Sequence, residues 1–235
     1  MSDDFVGFSA AGIEFLNNLR SNNNKAWFDA HKDDYIKFLR NPATIFVAAM
    51  GEKLQTIAPE IRFDTRTNGS GSLMRINRDT RFSEDKAPYK TNIAMMFWEG
   101  PGKKMEHPGF GMQIGIDEAG LMAGVFGFSK PMLTAYREAV ADDKMGKKLQ
   151  AALDAVRNAG DYTINGEHYK RVPRGYDSDH PRADLLRYAG LWASSPPIPV
   201  EVVTRPEFLD TCFEHFRNMA PIQRWLVDVE ARITA

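Results

Sequence analysis

The strand signals of this chain are gathered into one stretch rather than spread along it. Residues 92–98, 110–116 and 121–128 are rich in β-branched, aromatic and apolar side chains. Gly- and Pro-containing turns separate them, Gly100-Pro101-Gly102 in one gap and Asp117-Glu118-Ala119-Gly120 in the next. Strands joined by turns pair antiparallel, because a parallel neighbour needs a crossover of about a dozen residues or more. Helical periodicity lies on both sides of this stretch. Ser9 precedes Ile13, Leu16 and Leu19 at three-residue spacing, an N-capped amphipathic helix that stops at Ser21-Asn22-Asn23-Asn24. A second helix carries Trp27, Phe28, Tyr35, Phe38 and Leu39 through Arg40, and Asn41-Pro42 opens a third that reaches about Ile57. Alternation in 61–66 and 73–77 around Asn68-Gly69-Ser70-Gly71-Ser72 predicts a β-hairpin.

Downstream, Ser129 with Pro131 caps a helix, and Met145, Leu149, Leu153 and Val156 mark another that ends by Gly160. Asn165-Gly166 between 162–164 and 168–172 predicts a second hairpin. Pro181 opens a short helix through Tyr188, a Ser195-Pro196-Pro197 connection follows, and two helices run from Pro206 onward. The order predicts an α+β fold: a single domain over residues 1–235 with a largely antiparallel sheet flanked by N-terminal and C-terminal helices, not a doubly wound parallel sheet. At 235 residues, 43% of them hydrophobic, the chain holds enough apolar material for a core without disulfides or structural metals. It shows no internal repeat and no low-complexity tract.

Thirty basic residues against thirty-one acidic give a net charge of -1, so any attraction for anions is local rather than global. Cys212, the one cysteine, has no partner for an intramolecular disulfide or a thiolate metal site. Asp3 and Asp4 stand where a secretory leader carries Lys or Arg, and no apolar window approaches the roughly 20 residues that span a bilayer. The expectation is a cytoplasmic protein with no membrane partner.

The segment 75–92 stands apart. It holds Arg75, Arg78, Arg81, Lys86 and Lys90 against Asp79, Glu84 and Asp85, a local excess of two positive charges, with further donors from Asn77, Thr80, Ser83, Thr91 and Asn92. Guanidinium forks and hydroxyls aimed from a loop are what a phosphate or carboxylate requires. Pro88 and the lack of apolar alternation make 83–90 a loop between strands. The same charges also fit ion pairs that pin a loop to the sheet, with Asp79 and Asp85 orienting the cations, and the two readings are compatible. A second basic segment, 170–184, holds Lys170, Arg171, Arg174, Arg182 and His180. His180 precedes Pro181 at an N-cap position, where its imidazole serves either proton transfer or capping.

Gly7-Phe8-Ser9, Phe15-Leu16 with Leu19, Asn22-Asn23, and Lys25-Ala26-Trp27-Phe28 with His31-Lys32 and Tyr35 resemble the opening of the domain of unknown function 2461 family, a conserved hypothetical family of bacteria and fungi. Arg78-Asp79-Thr80-Arg81-Phe82-Ser83 with Asp85-Lys86 and Pro88-Tyr89-Lys90 resembles its central signature. Pro173-Arg174-Gly175-Tyr176 with Asp179-His180-Pro181 and Leu185-Leu186 resembles its C-terminal one. The resemblance runs over about residues 5 to 215. Arg174 and Tyr176 stand where it leads one to expect Lys and Phe. It implies a single domain and a role for both loops, and it brings no reaction, ligand or catalytic residue with it.

Other constellations are weaker. Asp64 with Glu84-Asp85-Lys86 has the residue types of a metal-dependent nuclease, but Pro88 breaks the strand such a site needs. The histidines at 31, 107, 168, 180 and 215 form no i,i+4 pair, so no metal ligands are assigned. Cys212 between Leu209 and Phe213 reads as a buried thiol, and Gly109-Phe110-Gly111 with Gly115 misses the dinucleotide fingerprint. Trp27, Phe28 and Tyr35 read as core, although exposed aromatics beside Arg or Lys would stack on bases.

The leading expectation is that loops 75–92 and 170–184 meet in one basic cleft for an anionic, phosphate-bearing small molecule. Ligand contacts would come from Arg75, Arg78, Arg81, Ser83, Asp85, Lys86, Lys90, Lys170 and Arg174, and proton transfer from His180 and Asp79. No cofactor is specified. The alternative is a noncatalytic protein-interaction module in which the loops are structural ion pairs; nucleic-acid binding, disfavoured by the balanced charge, comes third.

Overall fold

Capping chemistry starts the helices where the sequence places them. The computed structural model describes residues 5–233, so Asp3 and Asp4, on which the leader expectation rests, lie outside the described residues. Helix α1 spans Ala10–Ser21, and the Ser9 hydroxyl accepts the Gly12 N–H at 3.2 Å, satisfying one orphan donor of the first turn. Phe15, Leu16 and Leu19 form its buried stripe. The expected second helix is instead interrupted. Helix α2 (Lys25–Ala30) stops at His31, α3 (Lys32–Tyr35) restarts, and the backbone widens into a π-helical stretch over Ile36–Arg40 before α4 (Asn41–Gln55). Of the predicted aromatic face only Phe28 and Leu39 are fully buried; Trp27, Tyr35 and Phe38 stay partly exposed.

Strands β1 (Ile93–Trp98), β2 (Gly109–Ile114) and β3 (Glu118–Val125) follow as expected, then α5 (Lys130–Ala141) and α6 (Asp143–Asn158), whose caps Ser129 and Asp142 accept the Met132 and Met145 N–H groups. The remaining elements are β4 (Thr163–Glu167), β5 (Tyr188–Ser194), β6 (Ile198–Pro199), α7 (Val200–Val203) and α8 (Phe208–Glu230). The sheet order is β1-β2-β3-β5-β4, with β6 beside the start of β3. The chain is thus α+β, with helices before and after an open antiparallel sheet. No helix among the described residues is long and apolar enough to cross a membrane.

Four local expectations are overturned, each for a physical reason. Residues 61–77 form no hairpin ladder: the Ser72 N–H donates to the Asp64 carbonyl at 2.7 Å, and the extended chain uses its other groups on β1, with Met74 N–H to Ala94 and Met96 N–H to Ser72. Isolated bridges join Leu73 to Met95 and Asn77 to Tyr89. Asn165-Gly166 is a bulge inside β4 rather than a hairpin turn. Gly166 has φ 125° and a Cβ there would lie 2.0 Å from the Gly190 carbonyl oxygen, so the site demands glycine for close strand approach, not for reversal. Residues 181–187 form turns and a 3₁₀ turn over Leu185–Arg187 rather than the expected short helix, and Tyr188 already opens β5, a central strand rich in small residues that pairs with both β3 and β4. The C-terminal region is one helix: α8 absorbs Pro221, the lost backbone hydrogen bond being offset by burial of Phe216, Met219, Ile222, Trp225 and Leu226.

The chain clusters into two compact units, each assembled from separate stretches. One comprises Met1–Phe97, Gly111–Gly120 and Pro197–Phe213, the other Trp98–Phe110, Leu121–Pro196 and Glu214–Ala235. The first has a core of Phe8, Phe46 and Phe208, with ring centroids 5.8 to 6.1 Å apart, beside Leu16, Leu39 and Met50. In the second, Phe110 meets Phe216 edge-on at 5.3 Å and Tyr136 meets Trp225 at 5.7 Å.

Candidate functional site

In the first unit, two backbone hydrogen bonds of 2.8 Å close the base of the central loop, Arg78 N–H to the Pro88 carbonyl and Lys90 N–H to that of Ile76. Asn23, in the turn between α1 and α2, extends this pairing. Its Nδ2 donates to the Tyr89 carbonyl and its Oδ1 accepts the Tyr89 N–H, both at 3.0 Å, so one side-chain amide does the work of a neighbouring strand. Phe28 stacks on the buried Tyr89 ring at 4.1 Å, which fixes the base of the loop against α2.

Above this base, charges are held in short local pairs. Arg81 forms a fork on Asp79, Nε to Oδ1 at 3.0 Å and Nη2 to Oδ2 at 2.7 Å, with both side chains more than half exposed. The guanidinium, helped by the Arg81 N–H, holds the Asp79 carboxyl below its ordinary value. Arg78 pairs with Asp85 and donates to the Ser83 hydroxyl at 3.0 Å. The Ala87 N–H first, then Arg78, keeps the Asp85 carboxyl low as well. Both carboxyls therefore stay ionised near neutral pH. Lys86 donates to the Thr80 carbonyl at 3.0 Å, and Arg75 Nε to that of Asn68 at 3.1 Å. Lys90 carries no ion pair among the described residues, and its backbone anchors the base. Phe82 stands 96% exposed at the tip with the Arg81 guanidinium 5.7 Å from its ring.

In the second unit, Lys170 and Arg174 are exposed, Arg174 at the tip of a turn closed by Tyr176 N–H to the Pro173 carbonyl at 3.2 Å. His180 behaves as a cap. Its Nδ1 accepts the Arg182 N–H at 3.0 Å, so the neutral ring carries its proton on Nε2, the one nitrogen left for any proton transfer. Arg182 is 5% exposed and reaches the C-terminal end of α5, where Nε donates to the Val140 carbonyl at 2.7 Å and Nη2 to those of Ala141 and Asp142 at 3.4 and 3.3 Å. Gly146 makes room for it, since a Cβ there would sit 2.2 Å from Arg182 Nε. Asp64 and Asp85 are engaged by Arg66 and Arg78 respectively, and among the described residues no group of three His, Cys, Asp or Glu converges to hold a metal ion. Cys212 is fully buried, which pushes its thiol well up and makes it a core residue.

A model of the family described as "Conserved hypothetical protein (DUF2461)" matches residues 11–225. The chain belongs to that family. No curated protein matches it. The DUF2461 match spans Asn23, the central loop and Arg182 alike, so both the exposed and the buried arginines lie within the family's own span. Sequence reasoning missed two of the residues that shape these loops. Asn23 read as part of a polar turn, and only its pairing with Tyr89, 66 positions away, shows its use. Arg182 read as one more cation of the basic segment 170–184, and the signal that could have found it was Gly146 inside an otherwise well-formed amphipathic helix.

Proposed function

We propose that loop 75–92 binds an anionic, phosphate-bearing small molecule in the cytoplasm. The observation that supports this most is the exposed pairing at its tip. Arg78, Arg81 and Ser83 are gathered on a loop with two surplus positive charges and held by carboxylates that are themselves solvent-exposed. Exposed pairs of this kind contribute little to folding, so a phosphate with several charged oxygens competes for the guanidinium forks at small structural cost. Lys86 and Lys90 add charge from the descending arm, and Asp79 and Asp85 preserve the direction of the forks.

A thermal-shift screen of the full chain against phosphates, nucleotides and carboxylates tests this reading, because a ligand that binds only the folded state raises the apparent stability. A concentration-dependent rise with phosphates that disappears in Arg81→Ala supports it, whereas no shift across the panel removes it. Phe82 favours a second reading, a noncatalytic interaction module: an exposed aromatic beside an arginine is the composition of a binding hot spot. In that case Phe82→Ala abolishes partner binding and leaves phosphate binding unchanged.

A further inference from the structure

The first unit also carries a pocket of about 290 Å³ outside the loops, between α1 and the α2–α3 segment. Its aromatic wall is Phe15, Trp27 and Phe38. Trp27 stacks on the His31 imidazole with centroids 4.1 Å apart and planes 16° apart, and Phe15 lies 5.4 Å from the Trp27 ring. His31 Nδ1 donates to the Trp27 carbonyl at 2.8 Å, which leaves Nε2 of the neutral ring as an acceptor. The only charged groups lining the pocket are the carboxylates of Glu14 and Asp34, neither with an ion-pair partner among the described residues, and the Asn18 side chain adds an amide. Phe38 belongs to the π-helical stretch, a backbone irregularity that recurs at functional sites, and has the Lys37 ammonium 4.9 Å from its ring.

Stacking on nucleic-acid bases draws on Arg or Lys within the pocket, and the charged side chains that line it are the carboxylates of Glu14 and Asp34, the Lys37 ammonium against Phe38 not being among the lining groups. Aromatic faces and carboxylates together match the opposite ligand. A cation with a methylated or alkyl surface gains from the ring quadrupoles and is oriented by the acids. We infer that this pocket binds an alkylammonium head group, independently of the phosphate reading of the central loop.

The test titrates the full chain with tetramethylammonium, with neopentyl alcohol as a neutral control of similar shape, and follows the Trp27 indole N–H resonance. The expected result is a saturable shift with the cation, weaker response to the alcohol, and an affinity lowered about tenfold in Glu14→Gln/Asp34→Asn, a loss equal to about 1.4 kcal/mol. Both carboxylates are exposed, so that variant keeps the fold; Trp27→Leu gives a further loss. A trimethyllysine peptide and free butylammonium separate the sources of the head group. Tighter binding of either one supports the site and assigns it to a partner's side chain or to a free amine. No saturable shift with any cation, equal affinity for the neutral alcohol, or undiminished binding by Glu14→Gln/Asp34→Asn overturns the inference.

Discussion

Loops 75–92 and 170–184 are written in the same residue types, basic side chains interleaved with Asp and proline, and they use their arginines in opposite ways. In the central loop Arg78 and Arg81 meet side-chain carboxylates near the surface. In the C-terminal loop Arg182 is buried and its partners are mainly backbone carbonyls at the end of α5. Burial decides what each is for. A buried guanidinium must satisfy its donors inside the fold and is fixed there, whereas an exposed one exchanges partners with solvent and ligands at little cost. On the proposed reading ligand chemistry belongs to the central loop, whereas the buried Arg182 pins the C-terminal one.

The largest effect comes from breaking the buried side of that comparison. Arg182→Met strips the Val140, Ala141 and Asp142 carbonyls of their donor, and the expected loss is about 3 kcal/mol of folding free energy, read as a lower denaturant midpoint with an unchanged slope. Gly146→Ala displaces the same guanidinium and is expected to cost about 2 kcal/mol by overpacking. An effect on phosphate affinity with unchanged stability in either variant would break the comparison.

Next is the clasp at the base of the central loop. Asn23→Ala removes both hydrogen bonds to Tyr89, and a loss of about 1.5 kcal/mol is expected, with faster amide exchange at Arg78 and Lys90. The exposed arginines come third. Arg81→Gln leaves the unfolding midpoint unmoved and lowers phosphate affinity about tenfold, the worth of one charge-assisted hydrogen bond, with a further fall as salt rises.

The smallest effect is a titration. Asp79 has its carboxyl lowered by Arg81, so its pairing is present above the ordinary Asp value of about 3.9 and is lost only as pH falls through the lower folded value. An NMR titration of the Asp79 carboxyl is expected to show a midpoint below that ordinary value, rising to it in Arg81→Gln. A midpoint identical in both proteins would separate the pair and remove the orienting role of Asp79.

What the sequence shows and hides follows the range of the interaction involved. Ser9 and Ser129 act on amides three residues away, so the starts of α1 and α5 are legible. Strand β5 is not, because a central strand of Tyr188-Ala189-Gly190-Leu191-Trp192-Ala193-Ser194 is defined by what pairs on either side of it. Asn165-Gly166 has the composition of a turn, yet its glycine answers to the Gly190 carbonyl across the sheet. The same holds at the site. The charges of the central loop are visible in sequence, while the sorting of Arg182 from Arg81 depends on burial, which no local pattern encodes.

The most direct measurement is a calorimetric titration of inorganic pyrophosphate into the full chain and into its Arg81→Gln and Arg78→Gln variants. A single saturable site in the native protein, weakened about tenfold in each variant at unchanged unfolding midpoints, is the expected result. No heat of binding, or equal binding by all three proteins, would contradict an anion site in loop 75–92.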